Sequence, residues 1–297
     1  MSLYTEMILV GTLLGTLARL YMLRTDYRQY PTYPHGRVIH IALGVIASGL
    51  GAVAVPSLFE KNYTAVTFLA LAAQQFRDVR NMERQMLSNV DQNELVPRGI
   101  TYIEGIAMVF EGRNYLVIFT AFVSSLATYF SGWPGGIMAG AAAIGICNRF
   151  MSGNVVGDIA YIQEGDLHFD GPNLYVDDIH IMNIGLQDSK NEILAHGMGL
   201  VLIPKNVNSK TTLAHLGQRQ AIIHELSTIL GVYRDSGTPS FVPLSKRDLA
   251  SGRLAFFFLP MEKDFETAKQ IVVRSPVLEN SIRKPLKSKA LKKTKGT

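Results

Sequence analysis

The sequence is poor in the residues from which sites are usually built. It has one cysteine, Cys147, set in an apolar run, so no internal disulfide can form and cysteine usage carries no compartment signal. No basic residue precedes the first apolar run. Arg19 then follows without a small-x-small cleavage pattern before it, so a cleaved signal peptide is not expected and residues 7 to 18 read as part of a retained helix. Acids are missing from the end of the chain. After Glu279, Lys284, Lys287, Lys289, Lys292, Lys293 and Lys295 are unbalanced and supply much of the formal net charge of +5. Residues 284 to 297 therefore read as a disordered, membrane-facing basic tail.

Catalytic patterns are lacking too. His224-Glu225-Leu226-Ser227-Thr228 begins like a zinc-protease helix but lacks the second histidine of His-Glu-x-x-His. His215 is nine residues away, off that helix face. Asp166, Asp170, Asp177 and Asp178 do not follow the twelve-residue ligand pattern of a calcium loop and read as turn acids. No serine lies in a Gly-x-Ser-x-Gly elbow. The expectation is a chain without enzymatic activity, metal, cofactor or nucleic-acid partner.

What the sequence has is long uncharged runs in its first half. A spanning helix needs about 20 mainly apolar residues. Leu3 to Ala18, Val38 to Phe59, Tyr63 to Phe76, Tyr115 to Phe130 and Gly135 to Cys147 give five expected spans. Arg19, Arg24, Arg28 and Arg37 follow the first run. Arg77, Arg80, Arg84 and Arg98 follow the third, Arg113 precedes the fourth, and Arg149 follows the fifth. The opposite side has only Lys61, beside Glu60. The excess of basic residues marks the cytoplasmic side, so the expected cell-membrane topology is amino terminus outside and carboxy-terminal domain in the cytoplasm. Trp133, in a Ser-Gly-Trp-Pro-Gly-Gly turn, suits an interfacial anchor.

Gly11 and Gly15, Gly136 and Gly140, and Gly44 and Ser48 are spaced for close helix approach. Packing within the chain is the plainer reading and self-association the sharper one. After the third run, Phe76, Val79, Met82, Met86 and Val90 recur at three- and four-residue steps, predicting an amphipathic helix over residues 77 to 95.

Gly99 to Gly112 is apolar, too short to span, and carries Glu104 at its centre and Glu111 near its end. A full crossing would flip everything after it, so a re-entrant or interfacial helix is expected, with its backbone groups bonded internally. An ionisable group at membrane depth often marks a transport path. Glu104, Glu111, His40 and Tyr102 are therefore the candidate functional or transport residues. The competing reading places Glu104 at the interface, paired with an arginine.

The second half reads as a small mixed-sheet α/β domain over residues 151 to 283, following a transmembrane domain over 1 to 150. Strands are expected at Val155 to Ile162, Leu174 to Ile181, Leu200 to Pro204, Ser240 to Pro243 and Arg253 to Pro260. Helices are expected at Thr211 to Leu230 and Asp264 to Arg274. Lys205 and Lys210 flank a strand-to-helix turn and are weak anion-binding candidates, although an N-cap by Ser209 or Asn208 explains the turn better.

Tyr102-Ile103-Glu104-Gly105-Ile106-Ala107 spells the hexapeptide that names the YIEGIA family, and the order of membrane helices then cytoplasmic portion resembles that family as well. The family is found in endospore-forming Firmicutes. The resemblance implies a sporulation-associated membrane protein working with small soluble partners, and it brings no catalytic residues; in a sporulating cell the forespore membrane is an expected location, and self-association is expected beside small protein partners. The expected role is a non-enzymatic assembly or scaffold component. The alternative is a channel or transporter with Glu104 lining a polar path.

Overall fold

The computed structural model describes residues 2–27, 34–151, 153–234, 237 and 239–287. Arg28 and the tail beyond Lys287 lie outside the described residues. The chain forms two compact units. One comprises Met1–Met86 and Ile106–Gly153, the other Leu87–Gly105 and Asn154–Thr297.

The first unit is helical. It holds α1 (Leu3–Asp26), α2 (Pro34–Phe59) and most of α3 (Tyr63–Asp91) and α4 (Ile100–Asn148). Among the described residues, three helices are long and apolar enough to cross a membrane: Leu3–Asp26, Gly36–Phe59 and Ile100–Asn148. The five expected spans thus come out as three such helices, for two reasons. The third run does not stop at Phe76 but continues as helix through Arg77, Asp78, Arg80, Glu83 and Arg84. The fourth and fifth runs share one element with residues 100 to 112. Gly112 stays helical, because a single glycine costs only about 1 kcal/mol in a helix and does not break it. The separate re-entrant helix expected between Gly99 and Gly112 is therefore the start of α4.

Within α4, Gly132 leaves the helical region at φ 66° and ψ −174°. The chain reverses there. Ser124 Oγ donates to the Gly136 carbonyl at 2.9 Å, and Thr120 Oγ1 lies 3.7 Å from Cys147 Sγ, so the arms before and after Gly132 run antiparallel. The small-residue rows face inward. A Cβ on Gly15 would press on Ser48 and Ala121, and one on Gly140 would press on Leu14. Hydroxyls tie the close-packed helices, with Ser125 Oγ donating to the Ala52 carbonyl at 3.0 Å and Thr16 Oγ1 3.0 Å from Ser48 Oγ.

The buried side of α3 is not the predicted apolar stripe. Phe76, Glu83, Leu87 and Asp91 are buried and Arg80 is half-buried, whereas Met82 is 60% exposed and Val90 is exposed. The stripe is turned by about one residue because the inward positions are fixed by polar partners.

The second unit contains two antiparallel sheets, not the expected mixed one. The four-stranded sheet has the order β1 (Ala160–Gly165), β5 (Met198–Pro204), β7 (Leu254–Phe258), β6 (Leu244–Arg247). The three-stranded sheet joins β2 (Leu167–Asp170), β3 (Asn173–Val176) and β4 (Ile179–Asn183). Gly171 (φ 58°) and Asp177 (φ 52°) make the two tight reversals, so the expected strand Leu174 to Ile181 is a hairpin. The expected strand from Val155 opens with a helical turn, α5 (Val156–Ile159), and the strand expected at Ser240 to Pro243 is displaced to β6. The helix α6 (Gln187–His196) was not anticipated. The long helix expected from Thr211 is broken at Ala214 and His215 into α7 (Val207–Leu213) and α8 (Leu216–Leu230). Asp264 caps α9 (Phe265–Arg274) by accepting the Glu266 and Thr267 amides. Successive strand residues face opposite ways. Phe256 and Phe258 therefore pack with Ile222, Leu226 and Val272, while Phe257 packs with Leu174, Ile181 and Ile193. At the carboxy-terminal end Pro285–Lys287 forms a 3-10 turn, with the Leu286 amide 3.3 Å from Asn208 Oδ1.

Candidate functional site

The first unit carries a layer of ion pairs on the arginine-rich side of its helices. Buried positions on α1 recur at Met7, Gly11, Gly15, Ala18, Met22 and Asp26, so Asp26 and its neighbour in the stripe, Arg19, face the interior. Arg19 is 1% exposed, and its Nη1 donates to Asp26 Oδ2 at 2.8 Å. The other carboxylate oxygen accepts Arg113 Nε from α4 at 2.9 Å. Gly44 leaves room on α2 for the Arg19 stem, which a Cβ would overlap. The Arg19 guanidinium lies 5.1 Å from the centre of the Phe110 ring, and the His40 ring lies 4.8 Å from the same ring. His40 Nε2 is 3.4 Å from Glu83 Oε1, both groups being buried. Arg80 Nη1 is 3.1 Å from Glu111 Oε2, and Tyr115 donates to the remaining Glu111 oxygen at 3.0 Å.

Arg19 and Asp26 pair within α1, and the other three pairs each join different helices: α1 to α4, α2 to α3, and α3 to α4. Removing one partner of a buried pair leaves an uncompensated charge, so the layer resists separation of the helices. It is also under-satisfied. Arg19 Nε and Nη2 and both amide atoms of the wholly buried Asn114 have no hydrogen-bond partner among the described residues. Spacing places Phe110, Asn114, Val117 and Ala121 on one face of α4.

Of the predicted candidates, His40 and Glu111 belong to this layer. Glu104 and Tyr102 lie in the second unit. Arg19, Asp26, Glu83, Arg113 and Asn114 were missed. The available signal was the carboxylate Asp26 two helical turns beyond Arg19 in a connector otherwise rich in arginine.

The second unit includes the first four residues of the hexapeptide, Tyr102 to Gly105, and Tyr102 is seated against α8. Asp91 accepts the Arg98 and Gly99 amides, each at 2.8 Å, and so fixes the turn into α4. Gly99 takes φ 83°, and a side chain there would strike Gln220. Tyr102 is buried, with its backbone against Gly217, where a Cβ would come within 3.1 Å of it. Gly105 leaves room for the Asn280 amide. Glu104 is half-buried. Upstream, His224 Nδ1 donates to the Val96 carbonyl at 2.6 Å. Burial pulls the His224 imidazole below its ordinary range, against the raising effect of the Val96 bond and with a smaller lowering push from Arg98. Burial lifts the neighbouring Glu225 carboxyl, opposed by a hydrogen bond from Ser275 and by the Arg98 charge.

The two lysines proposed for an anion do not converge. Lys205 Nζ donates to the Gly157 carbonyl at 2.6 Å and lies over the Tyr161 ring; Lys210 Nζ donates to the Ala250 carbonyl at 2.7 Å. Asn206, not Ser209 or Asn208, caps α7 by accepting the Ser209 amide at 2.9 Å. Among the described residues no group of three or more His, Cys, Asp or Glu side chains is placed to hold a metal ion.

Comparison with known proteins matches residues 7–288 to the family described as YIEGIA protein. The chain is similar to the "Uncharacterized protein YphB" of Bacillus subtilis (strain 168), with 55% identity over 285 residues, covering 96% of each chain. No solved structure matches.

Proposed function

The chain belongs to the YIEGIA protein family, and on that premise we propose that it is an integral membrane protein acting as a non-enzymatic assembly component that holds soluble partners at the membrane of a sporulating cell. The observation that carries this reading is the reversed polarity of the first unit. Leu13 (63% exposed), Ile46, Phe68 and Met138 (75% exposed) face outward, while Arg19, Asp26, His40, Glu83, Asn114 and Ser124 are inside. In water that surface would be a large exposed apolar area. In lipid the outer side chains match the medium and the polar ones are shielded by protein.

In this reading Gly132 divides α4 into two crossings. With α1, α2 and the apolar start of α3 they make five, with the amino terminus outside and the second unit in the cytoplasm, as the arginine distribution favours. The cytoplasmic unit docks the partners. The ion-pair layer keeps the helices in one arrangement, and Tyr102, buried against α8, fixes the chain where it enters α4. Alkaline extraction of membranes tests the first part: the chain should stay in the pellet, and its release to the supernatant would refute insertion. Affinity recovery from sporulating cells tests the second. The full chain should bring down partners that a chain lacking residues 151 to 297 does not, and equal recovery would refute docking by that unit.

A second reading, transport, draws on the buried charges of the ion-pair layer. It requires flux in proteoliposomes that His40→Gln or Glu104→Gln abolishes. Flux unchanged in both variants would remove it.

A further inference from the structure

The membrane helices also enclose an aliphatic groove of about 230 Å³, whose walls include Leu50 and Leu58 of α2, Val66, Ala70 and Ala73 of α3, and Ile118 of α4. Along α3 the wall residues Val66, Ala70 and Ala73 cover about 10 Å of helix at 1.5 Å per residue. The same stripe continues one turn further to Arg77, at i+4 from Ala73. Along α4 the stripe from Ile118 continues to Tyr115 and Glu111. The two continuations meet where Arg80 pairs with Glu111 at 3.1 Å. The Glu111 carboxylate is thus held by Arg80 and Tyr115, while Arg77, one helical turn beyond the wall residue Ala73, is exposed. Asp78, also exposed, is about 100° round the helix from Arg77.

We propose that this groove is a binding site for one anionic phospholipid, with an acyl chain along the aliphatic wall and the phosphate on the Arg77 guanidinium. The proposal rests on the membrane reading above, and charge complementarity sets the head-group class. A lipid chain suits the wholly aliphatic wall, and the arginine one turn beyond it, on the side where basic residues gather, supplies the anion contact.

Native mass spectrometry of the full-length protein in detergent tests it. The protein is given equal amounts of phosphatidylglycerol and phosphatidylcholine with identical acyl chains. One phosphatidylglycerol adduct should be retained in about fivefold preference, the effect of roughly one surface arginine. R77Q should bring the ratio close to one. A73F, which fills the groove, should remove both adducts while helicity by circular dichroism is kept; A70L gives a milder filling and should weaken both. Equal retention of the two lipids by the wild type would overturn the proposal, as would a preference that survives R77Q or adducts that survive A73F. A species of twice the mass, dissociated by A73F, would also overturn it by giving the groove to a second copy of the chain. Failure of the membrane reading is separately visible, as release of the chain by alkaline extraction.

Discussion

Asp26 is the residue on which the ion-pair layer depends, because its two oxygens hold two buried arginines, Arg19 and Arg113. Asp26→Asn leaves both guanidinium groups without their counter-charge. We expect a loss of about 3–5 kcal/mol, read as a lower melting temperature in detergent, whereas neutralising the exposed Asp78 should leave it within about 0.5 kcal/mol. In the second unit, Glu225 and His224 give opposite pH responses. The Glu225 carboxyl is raised on folding, so its contribution is complete below the unfolded carboxyl range and is lost as pH rises through the raised value. His224 is lowered, so its contribution is complete above about pH 6.5 and is lost as pH falls through the lowered value. Glu225→Gln cannot ionise. Its urea midpoint should therefore gain on the wild type's as the pH is taken from 5 to 8, and a gap that does not widen would contradict the assignment. Little of this was legible in the sequence. The arginines suggested which ends of the helices share a side, but which of them turned inward depended on partners far along the chain, such as Arg113 for Asp26.

The elements were more legible than their facing. Helix α3 was expected from its periodicity and is present, yet its apolar stripe is not its buried face. A three- and four-residue pattern names two neighbouring stripes almost equally well, and the choice fell to Glu83 against His40 and Asp91 against the Arg98 and Gly99 amides. Leu87→Ala should therefore cost about 2–5 kcal/mol, while Met82→Ala should cost less than about 0.5 kcal/mol. Similar losses for both would mean that the predicted stripe is the buried one. The start of α4 makes a comparable point. Gly99 and Gly112 look alike in sequence as borders of a short segment, but only Gly99 adopts a positive φ, and Gly112 is an ordinary helical position. Gly105 has a different constraint, since a methyl group there overlaps the Asn280 amide. Gly105→Ala should destabilise the second unit by about 1–3 kcal/mol, seen as faster hydrogen exchange in α8 and the segment that packs on it. Asn280→Ala removes the obstacle and should recover part of the loss when combined with it.

At the scale of the whole molecule, the division into an apolar helical part and a sheet-bearing part was readable, because long uncharged runs and short alternating strands leave different patterns. The boundary was less so. Leu87–Gly105 belongs with the carboxy-terminal unit, although its composition continues that of the helices on either side. The antiparallel pairing of the four-stranded sheet was likewise hidden, since β1, β5 and β7 are separated by long stretches and meet through the shared core around Phe256 and Phe257. The reading of function rests on the outward Leu, Ile, Phe and Met side chains of the first unit being matched by lipid. Trp133, the single tryptophan, is 59% exposed beside the Gly132 reversal and reports on that surface without any mutation. Its fluorescence should be measured in the full chain reconstituted into vesicles containing phospholipids brominated at shallow or deep acyl positions. Insertion with Trp133 at the interface predicts strong quenching, greater for the shallow bromine than for the deep one. Emission unaffected by bromine at either depth would contradict it.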